Sequence, residues 1–295
     1  MQRASIISVD VEDYFHVEAF AGVIDRATWP DYACRVERNT ERILDILDDC
    51  HATGTFFILG WVAERYPKLV SQIAQRGHEP ACHSYWHRLV YKLTPQEFRE
   101  DTLRAKNCIE QAAGVEITGY RAPSFSITSR SIWAFDVLAD LGFRYDSSVF
   151  PIKHDVYGFP AAPRTPFRID TASGPMIEFP MTTFRLGAGP NLPVAGGGYL
   201  RMLPYWYTKT GVERAWREGL PVISYIHPWE VDPEQPRMNG PFKSRLRHYA
   251  NLKHMESRLR RLLALGEFSS FRESVATESA PPFSLDGIAQ ETISR

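Results

Sequence analysis

The stretch His83-Ser84-Tyr85-Trp86-His87 sets two imidazoles four residues apart. On one helical turn, positions i and i+4 share a face, so this spacing lets both rings reach one metal ion. The pair follows Arg76-Gly77-His78-Glu79-Pro80-Ala81-Cys82, a helix stop and a short, partly apolar stretch. It is therefore expected at the C-terminal end of a strand, the edge where α/β sheets build their sites. Other expected strand ends carry further candidates: Asp10, Glu12 and Asp13, then Arg121, then His227. A carboxylate with two neutral imidazoles is a common open zinc site, with one position left for water. Such an ion makes bound water more acidic and polarises a carbonyl. A second carboxylate can act as general base, with an arginine beside it to keep it ionised. A histidine on the opposite wall can protonate the leaving group. The set describes metal-assisted hydrolysis of an amide or ester.

The elements that must position these residues alternate from residue 5 to about 150. Ser5 to Val9 is a β-branched run that ends in Asp10-Val11-Glu12-Asp13. Acids are poor strand formers, and crowding them is costly unless a cation sits among them. Asn39 to Cys50 has the apolar spacing of an amphipathic helix. Thr55 to Leu59 reads as a buried strand, and a helix entered at Pro67 is stopped by Gly77. Glu79 to Cys82 is the next strand. Thr94-Pro95-Gln96-Glu97 is a capping box that opens a helix to Ala113. Gly119 to Ala122 is a strand, Ser131 to Leu141 a helix, and Phe143 to Ser148 a strand edge. Such alternation predicts a parallel barrel or doubly wound sheet. Residues 151–198, rich in Pro and Gly, read as an insertion of loops and hairpins over the barrel mouth. Pro221 to Ile226 is a further strand, ending at His227. Lys243 to Leu265 reads as one basic amphipathic helix whose basic face is solvated, and residues 271–295 as a polar C-terminal tail.

The net charge of −1 gives no reason to expect nucleic acid. Four scattered cysteines without a C-x-x-C pair suggest free thiols in a reducing compartment. The first ten residues reach an acid without a long apolar run, and no stretch reaches the roughly 18 apolar residues of a membrane span. A soluble, cytoplasmic protein is the expectation.

In their joint order, these motifs resemble the polysaccharide deacetylases of carbohydrate esterase family 4, the NodB-homology type. The acidic opening is Ser8-Val9-Asp10-Val11-Glu12-Asp13 and the histidine motif is His83-Ser84-Tyr85-Trp86-His87. The R-x-P motif is Arg121-Ala122-Pro123-Ser124-Phe125 and the closing motif Tyr225-Ile226-His227. The opening and the long region after residue 150 look like the subgroup found with exopolysaccharide and exosortase loci. The resemblance implies an α/β fold, a distorted (β/α)7 barrel, here as one domain over residues 1–270 with a C-terminal helical extension. It implies a metal-dependent hydrolase, with zinc as cofactor, that removes N-acetyl groups from amino sugars of a polysaccharide or a lipid-linked exopolysaccharide precursor. Peripheral association with the inner membrane face would bring a cytoplasmic enzyme to such a precursor. By the same resemblance Asp10 is the general base, Arg121 holds it, His83 and His87 bind metal, and His227 is the general acid, with Asp146 as its tuning partner.

The family's usual second aspartate is Val11 in this chain. Period-two strand geometry puts Glu12 on the side of Asp10 and favours it as third ligand; Asp13 is the alternative. Tyr14, Trp86, Phe125 and Trp229 are expected to line a sugar groove. Two rival readings are a cyclic-amide hydrolase of the allantoinase kind on the same scaffold and a non-catalytic carbohydrate-binding protein.

Overall fold

Strand β1 (Ser5–Val11) is buried along its whole length, yet it alternates apolar and polar side chains. Ile7, Val9 and Val11 join the core that packs against the helices, whereas Ile6 joins a second cluster with Phe57, Phe179 and Phe271. Ser8 and Asp10 share the side of Ile6, because successive strand residues face opposite ways. A computed structural model describes residues 5–154, 157–275 and 280–285 of the chain.

The remaining strands are β2 (Thr55–Ile58), β3 (Glu79–Cys82), β4 (Gly119–Tyr120), β5 (Tyr145–Asp146), β6 (Phe167–Thr171), β7 (Gly174–Glu178), β8 (Thr183–Phe184), β9 (Leu192–Pro193) and β10 (Val222–Ile226). The helices are α1 (Val36–Asp49), α2 (Gly60–Arg65), α3 (Pro67–Gln75), α4 (Pro95–Ala113), α5 (Ala134–Asp140), α6 (Gly197–Met202), α7 (Tyr205–Arg217), α8 (Phe242–Tyr249), α9 (Met255–Leu263) and α10 (Phe271–Ser274). Eight strands form one curled sheet in the order β10-β1-β2-β3-β4-β5-β7-β6. All neighbours pair parallel except β6, which runs antiparallel to β7. Seven parallel strands with helices around them make the expected distorted barrel, an α/β fold. Their C-terminal ends gather on one side, and the candidate residues lie there.

Local chemistry explains several boundaries. Thr94 caps α4 and Glu97 returns the bond to the Thr94 N–H, the capping box read from the sequence. Gly114 ends that helix in the left-handed conformation, φ 69°.

Three expectations are corrected. Residues 151–198 contain hairpins, but β7 is a full member of the barrel sheet, paired parallel to β5. The basic segment 243–265 is not one helix: Asn251, at φ 56°, breaks it between α8 and α9. The segment from 271 is not simply a polar tail. Phe271 is fully buried, with ring centroids 5.3 Å from Tyr145 and 5.2 Å from Phe179. Further on, Arg168 donates to the Pro281 carbonyl and Phe283 donates to that of Arg168, extending the edge of β6. Residues 276–279 and 286–295 of the expected tail lie outside the described residues.

Phe271 thus plugs the barrel from its N-terminal end. Phe271→Ala should lower stability by about 3–5 kcal/mol, as for other buried phenylalanines. Urea unfolding measures it, and an unchanged midpoint would show that the plug is dispensable.

Candidate active site

A cleft of about 190 Å³ opens at the C-terminal strand ends, lined by Asp10, Glu12, His83, His87, Phe125, Tyr157, Tyr225, His227 and Trp229, among others. A larger depression of about 600 Å³ lies at the opposite end, beside Ser5, His51 and Glu273. It holds none of the candidate residues, whereas Asp10, Glu12, His83, His87 and His227 all line the smaller cleft.

Glu12, His83 and His87 are buried, and their ligand-type atoms all lie within 4.8 Å of one another; among the described residues no other such group occurs. Glu12 Oε2 is 3.0 Å from His87 Nε2, yet it has no hydrogen-bond partner of proper geometry. A buried carboxylate oxygen this close to one imidazole nitrogen, with a second imidazole beside it, suits a shared cation. His83 Nδ1 lies 2.8 Å from the Arg121 carbonyl oxygen. Donation there fixes the tautomer and leaves Nε2 as the ligand atom. Burial pushes the His83 imidazole down to about 4, so it is neutral near pH 7, the form a metal requires. Burial works to raise the Glu12 carboxyl, but His87, His227 and His83 around it hold it below the usual carboxylate range.

The two histidines do not ride on a helical turn. Ser84 and His87 adopt left-handed backbone, φ 64° and 50°, and the loop is pinned from several sides. The Ser84 hydroxyl accepts from the His87 N–H, Asp101 accepts from the Tyr85 N–H, and Arg26 binds the Trp86 and His87 carbonyls. Backbone of this kind costs on the order of 1–3 kcal/mol per residue and persists where its surroundings enforce it.

Asp13 is turned away from the triad. Its carboxylate accepts the N–H groups of Tyr14, Arg35 and Val36 and so anchors the entry to α1. Asp10 receives Arg121 Nη1 at 2.7 Å, and its second oxygen lies 4.0 Å from His227 Nε2. Arg121 has no solvent exposure. It also donates to Ser8 Oγ and to the carbonyl and hydroxyl oxygens of Ser147, and its guanidinium stacks 4.1 Å over the Phe57 ring.

Opposite, Glu230 accepts the His227 N–H at 3.0 Å, and the same oxygen is 3.3 Å from His227 Nδ1. Its other oxygen receives Arg201 Nε at 2.7 Å. This carboxylate approaches α6 so closely that a Cβ on Gly197 would collide with it, so only glycine fits there. Burial disfavours an imidazolium at His227, but Glu230, Glu12 and Asp10 outweigh it and raise the ring to about 9. Asp146, expected to tune His227, does not touch it. It is buried against Ser148 and paired with Glu178, and burial raises both carboxyls.

Two of the four expected groove residues are in the cleft wall. Phe125 is there, in left-handed backbone at φ 53°, and Trp229 is there, with its ring 5.1 Å from that of His227. Tyr14 is not: it is buried, with its hydroxyl on the Ala33 carbonyl. Trp86 is not: its ring packs between Trp29 and Tyr85. Sequence reasoning missed Tyr157, Tyr225, Arg201 and Glu230. Two left a signal: Tyr225, two residues before the histidine in the closing motif, and Glu230, three residues after it in His227-Pro228-Trp229-Glu230.

Residues 27–145 match the polysaccharide deacetylase family, and residues 147–276 match a domain of unknown function, DUF3473. A peptidoglycan-N-acetylglucosamine deacetylase of Bacillus cereus is 32% identical over 96 residues, 32% of this chain and 35% of that protein. A chitooligosaccharide deacetylase of a Bradyrhizobium species is 31% identical over 101 residues, 34% of this chain and 43% of that protein. The chain thus matches well under half the length of either relative. A crystal structure from Mycobacterium smegmatis, of a protein classed with the polysaccharide deacetylases, superposes with a TM-score of 0.63 at 18% identity, over 96% of this chain and 94% of that one. It shares the fold.

Glu230→Gln removes the charge that keeps His227 protonated. If His227 is the acid, the alkaline limb of the pH–rate profile should move down by about 1–3 pH units. An alkaline limb left in place would show that Glu230 does not govern His227.

Proposed function

We propose that this chain, whose residues 27–145 match the polysaccharide deacetylase family, hydrolyses the N-acetyl group of an amino sugar in a polysaccharide or an exopolysaccharide precursor. One observation carries the reading: the triad Glu12, His83 and His87 converges in the same cleft as the Asp10–Arg121 pair and His227. The triad would hold a divalent ion, and its nitrogen and oxygen donors suit zinc. When bound, such an ion polarises the acetyl carbonyl and makes a water more acidic.

The protein's own groups do the rest. Asp10 takes the water proton on Oδ2, while Arg121 holds Oδ1 and fixes the orientation of the carboxylate. His227, protonated below about 9, delivers a proton from Nε2 to the departing amine nitrogen. Below that pH the acid is charged and competent; the rate falls as pH rises through it. Phe125, Tyr225 and Trp229 offer ring faces for a sugar.

The relatives that act on peptidoglycan N-acetylglucosamine and on chitooligosaccharide support an N-acetylated glycan as the substrate class. A lipid-linked oligosaccharide met at the inner face of a membrane, from a reducing cytoplasm, suits the four free thiols. The cyclic-amide reading has no relative behind it among these matches. A non-catalytic binder would have no use for an acid at His227 braced by Glu230.

Acetate release from an N-acetylglucosamine oligomer tests the proposal. Chelation, or His83→Ala, should abolish it and leave the fold intact. Undiminished release after both treatments would contradict a metal-assisted reaction.

A further inference from the structure

Beside the cleft, one helix carries large apolar side chains into solvent. On α8, Phe242 is 77% exposed and Leu246 is 60% exposed. Four residues apart, they project from one face. Val23, also exposed, lies against Gly240, two residues before the helix. Lys243, Arg245 and Arg247 are exposed on the same helix, and among the described residues no carboxylate pairs with them. From Arg237 to Arg261 the sequence carries eight Lys or Arg and one acid, Glu256, although the whole chain has a net charge of −1. The positive charge is therefore local.

The other face of α8 is fixed to the rim of the cleft. The His248 ring stacks on Trp229 with centroids 4.0 Å apart and meets Phe20 at 5.1 Å. Phe20 closes the turn whose Glu18 and Ala19 line the cleft. Arg201, already paired with Glu230, also donates to the carbonyls of Arg247, His248 and Ala250. The exposed face is thus held rigidly next to the mouth.

We propose that α8 docks the protein onto an anionic lipid bilayer. Phe242 and Leu246 enter the boundary between headgroups and acyl chains, and Lys243, Arg245 and Arg247 meet lipid phosphates. Apolar anchors flanked by basic residues are the signature of an interfacial helix. An acidic polysaccharide would match the charge but not Leu246, which has no ring face for a sugar. A second copy of the chain would bring the same positive excess against itself. The surface stands apart from the reaction; only its bearing on the substrate, a lipid-linked glycan reached at headgroup level, rests on the function proposed above.

Co-sedimentation of the full chain with vesicles tests this. The protein should bind phosphatidylcholine vesicles that contain phosphatidylglycerol, bind pure phosphatidylcholine weakly, and be released by salt. The double variant Phe242→Ser/Leu246→Ser should bind at least about tenfold more weakly, as should Lys243→Glu/Arg245→Glu. Both should melt as the parent does and release acetate normally from a soluble oligosaccharide. No binding, equal binding to both vesicle types, or undiminished binding by both variants would overturn the proposal. Binding to a soluble acidic polysaccharide without binding to vesicles would overturn it too. Vesicle binding is read without turnover, so loss of the deacetylase reaction alone would count against the reaction and not against this surface.

Discussion

A guanidinium with no exposure to solvent sits beneath the cleft, and most of the site hangs from it. An unpaired buried charge of this kind costs several kcal/mol, so its partners cannot be casual. Arg121 satisfies itself with the Asp10 carboxylate, Ser8 and Ser147, and lies on the face of Phe57. Its own carbonyl meets His83 Nδ1. One residue thereby orients a carboxylate of β1 and a histidine after β3. Below it, Phe57 meets Phe271 from near the far end of the chain, at 5.8 Å. Closure of the barrel bottom and order in the cleft are therefore linked through one packed column.

A second buried ion pair does the same on the opposite wall. Arg201–Glu230 ties α6 to the turn after β10, and through the carbonyls of residues 247, 248 and 250 it ties both to α8. The division of the site follows the chain. His83, His87 and Arg121 fall in the stretch that matches the deacetylase family, whereas His227, Glu230 and Arg201 fall in the stretch that matches the uncharacterised domain. Asp10 and Glu12, on β1, precede both. β1 lies between β10 and β2 in the sheet, so parallel pairing on its two sides brings the parts together.

The sequence carried what local rules encode. Strand periodicity placed Glu12 with Asp10, the capping box marked the start of α4, and the histidine pair followed a strand. Tertiary choices left no local mark. The i, i+4 spacing of His83 and His87 looks helical, but the pinned loop reaches one point by left-handed backbone instead. Asp13 reads as a spare ligand, yet three backbone N–H groups claim its carboxylate. Tyr14 reads as a groove residue, but the chain turns it into the core. The family resemblance offers Asp146 as the partner of His227, whereas the nearby Glu230 is the one within reach. Arg201 could not be seen, because its partners lie 29 to 49 residues away in sequence.

The proposed reaction stands on Glu12, His83 and His87 sharing one metal ion while Asp13 anchors the backbone. Titrating the chelator-stripped protein with zinc, followed calorimetrically, tests it most directly. One ion per chain should bind to the parent and to Asp13→Asn, with most of the affinity lost in Glu12→Gln. Full affinity in Glu12→Gln, or its loss in a folded Asp13→Asn, would contradict it.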